Sequence, residues 1–243
     1  MTPFVLFTDL DDTLFHSYRK KTPTEGCRPL AYLKNGEPVS YADAGQQAVL
    51  AHFLQHAAVI PVTARDSGSF GRVDIPFSRH AVIDYGGIIL NPDGSPDDFW
   101  LEQSRMKAKG SLPQLQGLAR ALEALMPDAA GDLRVRLIGD FDIIFYLLAK
   151  SHTGRQDMLE QAAALLRPLL RPGWRLHLNA NNLAVLPDWL DKGNAVLYLM
   201  GHYRRLMPGA VTLGMGDSLI DLPFMRACDY QIIPSGSQIE AAM

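Results

Sequence analysis

The chain has little cysteine, no long apolar run and no surplus of positive charge, and each lack removes a class of protein. Its two cysteines, Cys27 and Cys228, are too few and too far apart for a disulfide framework or a four-ligand zinc site. Both read as ordinary thiols. The first residues, Met-Thr-Pro-Phe-Val-Leu-Phe-Thr-Asp, carry no basic start and reach acidic residues after a very short apolar run, unlike a secretory signal. No stretch approaches the roughly 20 apolar residues that cross a bilayer. With 23 basic against 26 acidic residues the formal charge is -3, so no global positive field is available to hold a polyanion. The expectation is a soluble, cytoplasmic protein with neither nucleic acid nor membrane as partner. Oligomeric state leaves no trace in the sequence.

What is present is apolar material in short, ordered pieces: 47% of the 243 residues are hydrophobic, enough for one large domain or two modest ones. Phe4 to Thr8 is a β-favouring run that stops at an acidic cluster, which predicts a buried strand ending at Asp9. A helix over about Asp43 to His56 follows, then apolar runs at Ala58 to Val62, ending at Thr63, and at Ala81 to Asp84, before Gly86-Gly87. This alternation predicts a parallel α/β sheet. From about Asn91 the pattern changes to a helix near Ser104 to Leu125, paired runs Arg134 to Ile138 and Ile143 to Ala149, a helix near Arg155 to Leu170, and paired runs Trp174 to Leu178 and Leu183 to Leu186. Turns are expected at Gly139-Asp140-Phe141-Asp142 and Asn179-Ala180-Asn181-Asn182. After Asp188 the α/β alternation resumes, with a helix from about Asn194 to Arg205 and a run from Ala210 to Leu213 entering Gly214-Met215-Gly216-Asp217. The expected fold class is therefore α/β, a Rossmann-like parallel core over 1–88 and 189–243 with a smaller α+β unit, 89–188, inserted into it. Beyond the twofold helix-hairpin pattern there is no internal repeat, and there is no low-complexity linker.

The string Thr8-Asp9-Leu10-Asp11-Asp12-Thr13 places carboxylates just past a buried strand, at the edge where open α/β sheets hold ligands. In extended chain Asp9 and Asp11 point the same way, and like charges that close need a cation or a shared proton. Three further segments end apolar runs with complementary groups: Thr63-Ala64-Arg65, Asp191-Lys192-Gly193-Asn194 and Gly216-Asp217-Ser218-Leu219-Ile220-Asp221. Together they supply what phosphoryl transfer needs: a nucleophile, hydroxyl and ammonium groups for anionic oxygens, and carboxylates for a metal. Each alone has an ordinary explanation, as a helix cap or a solvated charge.

In order and type the four segments resemble the haloacid dehalogenase (HAD) superfamily, whose phosphatases carry Asp-x-Asp-x-Thr, a Thr or Ser, a Lys, and Gly-Asp-x-x-x-Asp. The resemblance spans the chain, and the long gap from Thr63 to Lys192 holds the insert, which looks like the smaller form of the superfamily's second cap type. Sucrose-phosphate phosphatase, mannosyl-3-phosphoglycerate phosphatase and phosphomannomutase are relatives with such caps. The resemblance implies that Asp9 attacks phosphorus to give an aspartyl-phosphate, while Asp11 protonates the leaving oxygen and later activates water. It implies phosphate binding by Thr63 and Lys192, and Mg2+ held by Asp9, the backbone carbonyl of Asp11, and Asp217, with Thr13, Ser218 and Asp221 in support. The implied substrate is a small phosphorylated sugar or sugar acid. The alternatives are a phosphomutase of the phosphomannomutase type, a non-catalytic phosphate-binding regulator, and, last, a phospho-receiver switch, whose small domain leaves the insert unexplained.

Other features carry less. Asp12 stands where the superfamily often has Gly and is expected to face away from the site. Pro61 cannot donate to a ladder and predicts a locally irregular strand. Arg65, Arg19, Lys20 and Lys21 are expected to be solvent-exposed. Asp140, Asp142, Asn179, Asn181 and Asn182 are explained by turn chemistry. His52 and His56 lack an acidic or third histidine partner for a metal. Gly214-x-Gly216 lacks the third Gly or Ala of a dinucleotide fingerprint, Leu219 standing there instead, and the first strand has no Gly-rich turn, which argues against a Rossmann oxidoreductase.

Overall fold

The structure, a computed structural model, describes residues 3–129, 131–179 and 181–243. The chain divides into two compact units, 1–101 with 191–243, and 102–190. In the first, strand β1 (Phe4–Thr8) is followed by β2 (His16–Ser17), β3 (Arg28–Tyr32) and β4 (Pro38–Ala42), then helix α1 (Ala44–His56), β5 (Ala57–Pro61), the short helix α2 (Ser67–Phe70), and the antiparallel pair β6 (Ala81–Ile83) and β7 (Ile88–Leu90). Helix α3 (Asp98–Leu125) runs across the unit boundary. That boundary lies past residue 88 because β7 pairs back onto β6, keeping 88–90 with the first unit.

The second unit continues with β8 (Leu133–Asp140), β9 (Ile143–Ser151), α4 (Gln156–Leu166), β10 (Arg175–Asn179) and β11 (Asn182–Leu186). Its antiparallel sheet runs β10-β11-β9-β8. Leu147, Ala149, Leu183 and Val185 of the sheet pack with Leu115, Leu118 and Leu122 of α3 and with Leu159, Ala163 and Leu166 of α4. The first hairpin turn is tighter than expected: Asp140 pairs with Ile143, leaving Phe141 and Asp142, both at positive φ, as the loop. A Cβ at Gly139, where the register shifts, would lie 2.3 Å from the carbonyl oxygen of Ile143, so glycine is required there. Of the second expected turn, Ala180 lies outside the described residues, and Asn181 bonds to Ser151 through both its side-chain amide (3.3 Å) and its carbonyl (3.0 Å).

The first unit resumes with α5 (Lys192–Leu206), β12 (Val211–Met215), α6 (Leu222–Ala227), β13 (Tyr230–Ile232) and α7 (Gln238–Ala241). Its sheet is parallel, in the order β13-β12-β1-β5. Strand β1 is buried on both faces. Val5 and Phe7 join Val196, Leu199, Met200 and Tyr203 of α5 and Phe224 and Met225 of α6. Leu6 points oppositely, into a layer with Leu10, Leu14, Phe15, Leu30 and Leu50. The α/β class with a parallel core and an inserted α+β segment is thus the one observed.

Pro61 causes no disorder in the sheet. The Val62 N–H donates to the Thr8 carbonyl (2.7 Å) and the Thr63 N–H to the Val82 carbonyl (2.8 Å), so alternate residues bond to opposite neighbours. Pro61 sits where β1 asks for no donor, one residue before the bridge from Val62 to Val82 of β6. The antiparallel sheet β2-β4-β3 was not anticipated from the sequence. Pro29, Pro38 and register shifts between β3 and β4 blur its alternation, although Asn35-Gly36 between two apolar runs is a hairpin signal. No helix among the described residues is long and apolar enough to cross a membrane.

Truncating Leu159, fully buried between α4 and the second sheet, is expected to cost about 2–5 kcal/mol by leaving a cavity. The check on Leu159→Ala is a lower urea midpoint at unchanged slope.

Candidate active site

The site is built on the carboxyl ends of β1, β5 and β12 and on the start of α5. Asp9 follows β1, and its N–H donates to the Met215 carbonyl at 2.8 Å, locking it to β12. Because Thr8 lies opposite Pro61, Thr63 falls at the same edge of the sheet as Asp9. Lys192 opens α5 behind the N-cap Asp191, whose carboxylate accepts from the Gly193 N–H at 2.7 Å. Gly86 is dictated by this approach: at φ 96°, a Cβ there would lie 2.4 Å from the Asp191 carbonyl oxygen.

A single hydrogen-bond network joins Asp9, Thr13, Lys192, Asp217, Ser218 and Asp221. The Lys192 ammonium, 3% exposed, donates to Oδ1 of Asp9 and to Oδ1 of Asp221, both at 2.6 Å. Asp221, fully buried, also accepts from the N–H and hydroxyl of Ser218, each at 3.1 Å. The Thr13 hydroxyl lies 3.3 Å from Oδ2 of Asp9 and 3.4 Å from Oδ1 of Asp217. Gly216 permits the turn, since a Cβ there would come within 2.6 Å of the Asp221 Cβ.

Three buried carboxylates around one ammonium leave an excess of negative charge. Burial first, then Asp221 and Asp217, push the Asp9 carboxyl well above the usual range, although Lys192 opposes this. Asp217 is pushed up to about 7 by burial, then by Asp221 and Asp12. Burial works against the charge of Lys192, but the carboxylates of Asp221 and Asp9 outweigh it and its ammonium holds its proton above the ordinary range. Oxygens of Asp9, Asp217 and Asp221 lie within 4.8 Å of one another. Such a hard, anionic, oxygen-only donor set suits a divalent cation of the magnesium kind.

Asp11 and Thr63 meet through a residue whose exposure was misjudged from the sequence. Arg65 is only 14% exposed; its Nε and Nη2 each donate to the Asp11 carboxylate at 2.7 Å, its Nη1 to the Ser69 carbonyl at 3.2 Å. Its own N–H donates to the Thr63 hydroxyl at 3.2 Å. The guanidinium lies over the Phe15 ring, 5.3 Å from the centroid, so it is buried as a paired, stacked cation. Asp12 is at φ 64°, a conformation glycine adopts freely and aspartate tolerates, and its carboxylate turns to Lys20 and to His16 (3.3 Å). Lys20 is therefore paired, while Lys21 reaches Asp43 at 2.9 Å from an exposed position. Tyr85 also escaped sequence reasoning: buried, at φ 57°, its N–H donates to the Thr63 carbonyl (3.1 Å) and burial pushes its phenol up to about 12. A tyrosine in an apolar run gives no signal of such a place. His52 and His56 stack 4.6 Å apart on α1.

The fold around this site, a parallel α/β core interrupted by an α+β segment, is shared with solved phosphatase structures. Among those structures are the Synechocystis sucrose-phosphatase in complex with sucrose and phosphate, with 16% identity, a TM-score of 0.54, and 100% of this chain and 86% of that one covered. Others are the C. albicans trehalose-6-phosphate phosphatase C-terminal domain, with 12% identity, a TM-score of 0.56 and 93% and 73% covered, and the IMP-bound IMP-nucleotidase of Plasmodium falciparum, with 11%, 0.58 and 99% and 66%. At these identities the shared property is the fold. No family model and no curated protein sequence matches the chain.

A carboxyl raised by the fold contributes stability that is present below its ordinary value of 3.8 and is lost as pH rises through about 7. Without metal, Asp217→Asn is therefore expected to match the wild type in melting temperature near about pH 4.5 and to exceed it progressively toward about pH 7.5. Differencing against the variant cancels groups such as His80, whose lowered value has the opposite sign. Magnesium should stabilise the wild type more than the variant at the higher pH, read by thermal melts with and without the ion.

Proposed function

We propose that the chain is a magnesium-dependent phosphomonoester hydrolase of the HAD superfamily, acting through a phospho-enzyme formed on Asp9. The observation that carries this reading is the buried Asp9-Lys192-Asp221 network with Asp217 beside it. A bound divalent cation would offset this excess of carboxylate, which otherwise has to be relieved by protonation. Asp9, Asp217 and the backbone carbonyl of Asp11 would hold the magnesium, with Asp221 in support. The ion would offset the charge of the phosphate and of the carboxylates around it.

The chain's own residues do the rest. Asp9 is the nucleophile, kept in place by the Lys192 ammonium and the Thr13 hydroxyl. Its attack breaks the ester P–O bond and forms an acyl phosphate, and Asp11, having first taken up a proton from solvent on one carboxylate oxygen, delivers it to the departing oxygen. Asp11 then takes a proton from the water that hydrolyses the acyl phosphate, so one hard displacement becomes two easier ones. Lys192 and the hydroxyl of Thr63 bind the phosphoryl oxygens, which lets a carboxylate approach a dianion. A fixed, protonated lysine is suited to this role, and its ion pairs leave it nothing to lose as the charge moves outward.

A phosphorylated sugar or sugar acid is the substrate class proposed, on the fold shared with a sucrose-phosphatase and a trehalose-6-phosphate phosphatase. The free thiols of Cys27 and Cys228 agree with a cytoplasmic setting. Magnesium-dependent phosphate release from a panel of sugar phosphates and an aryl phosphate is the test. Wild type should turn over, and Asp9→Asn, which keeps shape but not nucleophilicity, should lose at least about a thousandfold in kcat. Equal activity in the two proteins would remove Asp9 as nucleophile. A requirement for a bisphosphate activator would point to a mutase instead.

A further inference from the structure

We propose that Arg65 is the positioning residue for Asp11, a bidentate clamp that sets the plane and reach of the carboxyl group serving the leaving oxygen. The inference rests on the phosphatase reading above and assigns within it a residue that the four sequence segments leave without a role. Asp11 needs such a partner because its side chain is 44% exposed and stands past the end of β1. Two donors from one rigid plane, each at 2.7 Å, fix both carboxylate oxygens at once, which a single hydrogen bond or a lysine cannot do.

The clamp is itself held at several points. Nη1 is tied to the Ser69 carbonyl, the guanidinium face rests over Phe15, the Arg65 N–H is tied to the Thr63 hydroxyl, and its carbonyl accepts from the Asp84 N–H at 2.8 Å. The side chain is thereby anchored to the same strand ends that carry Thr63 and Tyr85. A residue serving only to fill space would not need fork geometry aimed at one carboxylate. General acid catalysis depends on heavy-atom placement within hydrogen-bond reach of the proton acceptor, so a loosened Asp11 loses proton transfer while phosphate binding at Lys192 persists.

A proton is needed only when the leaving oxygen is basic, and this separates positioning from general structural support. The experiment compares kcat/KM, which reports the first P–O cleavage, for phenyl phosphate and for dinitrophenyl phosphate, whose leaving group departs without a proton. Arg65→Lys keeps the charge without the fork, and Arg65→Met removes both. Each is expected to lose about tenfold or more on phenyl phosphate and less than about threefold on dinitrophenyl phosphate. Asp11→Asn should show the same selectivity, and Arg65→Lys combined with Asp11→Asn should be no worse than Asp11→Asn alone. If Arg65→Met does not fold, the lysine variant alone carries the comparison. Equal losses on the two esters, or losses that multiply in the double variant, would overturn the clamp. Wild type inactive on both esters would instead overturn the phosphatase reading, and the clamp with it.

Discussion

The burial of one ammonium among three carboxylates is the constraint on which the rest of the first unit depends. Lys192 is nearly inaccessible to water and touches Asp9 and Asp221, each brought from a distant part of the chain. An isolated charge so placed would cost many kcal/mol, and the cost is tolerable only because each partner is fixed to within hydrogen-bonding distance. That precision comes from the parallel sheet. Strand β1 sits between β5 and β12, doubly covered by apolar layers, and so delivers Asp9 to a defined height at the sheet edge.

Backbone geometry serves the same end. Gly86 and Gly216 stand where any side chain would collide with Asp191 or Asp221, the residues that seat and pair Lys192. Asp12 and Tyr85 take left-handed conformations at the two turns flanking the site, and each is held by a specific bond, Asp12 through Lys20 and His16, Tyr85 through the Thr63 carbonyl. Strain of this kind concentrates where side-chain direction matters more than local comfort. The turn that follows β2 contributes Lys20 to Asp12 and Lys21 to Asp43, the residue that caps α1.

Strands β1 and β12 and helix α1 were legible because their apolar runs end abruptly in polar residues, which is what a buried strand end or a helix cap looks like in any sequence. The α3 start was placed too late, since Phe99, Trp100 and Leu101 are three consecutive apolar residues with no helical spacing, and the bond from the Trp100 N–H to the Asp97 carboxylate that starts the helix shows only in the structure. Arg65 was misjudged for a different reason. A long basic side chain near a loop is usually solvated, and only the three-dimensional pairing with Asp11, across 54 residues, reveals that it is buried.

The order of apolar runs and acidic turns determined the α/β class, the inserted α+β segment and the residue types offered for phosphate chemistry, because those depend on periodicity and on where a run stops. What only the tertiary structure decided is which of these groups share charge: that Lys192 bridges Asp9 and Asp221, that Asp12 turns to Lys20, and that Arg65 grips Asp11. Electrostatic and hydrogen-bonded partnership acts over a few ångströms, and sequence separation says nothing about distances of that size until the strands are packed.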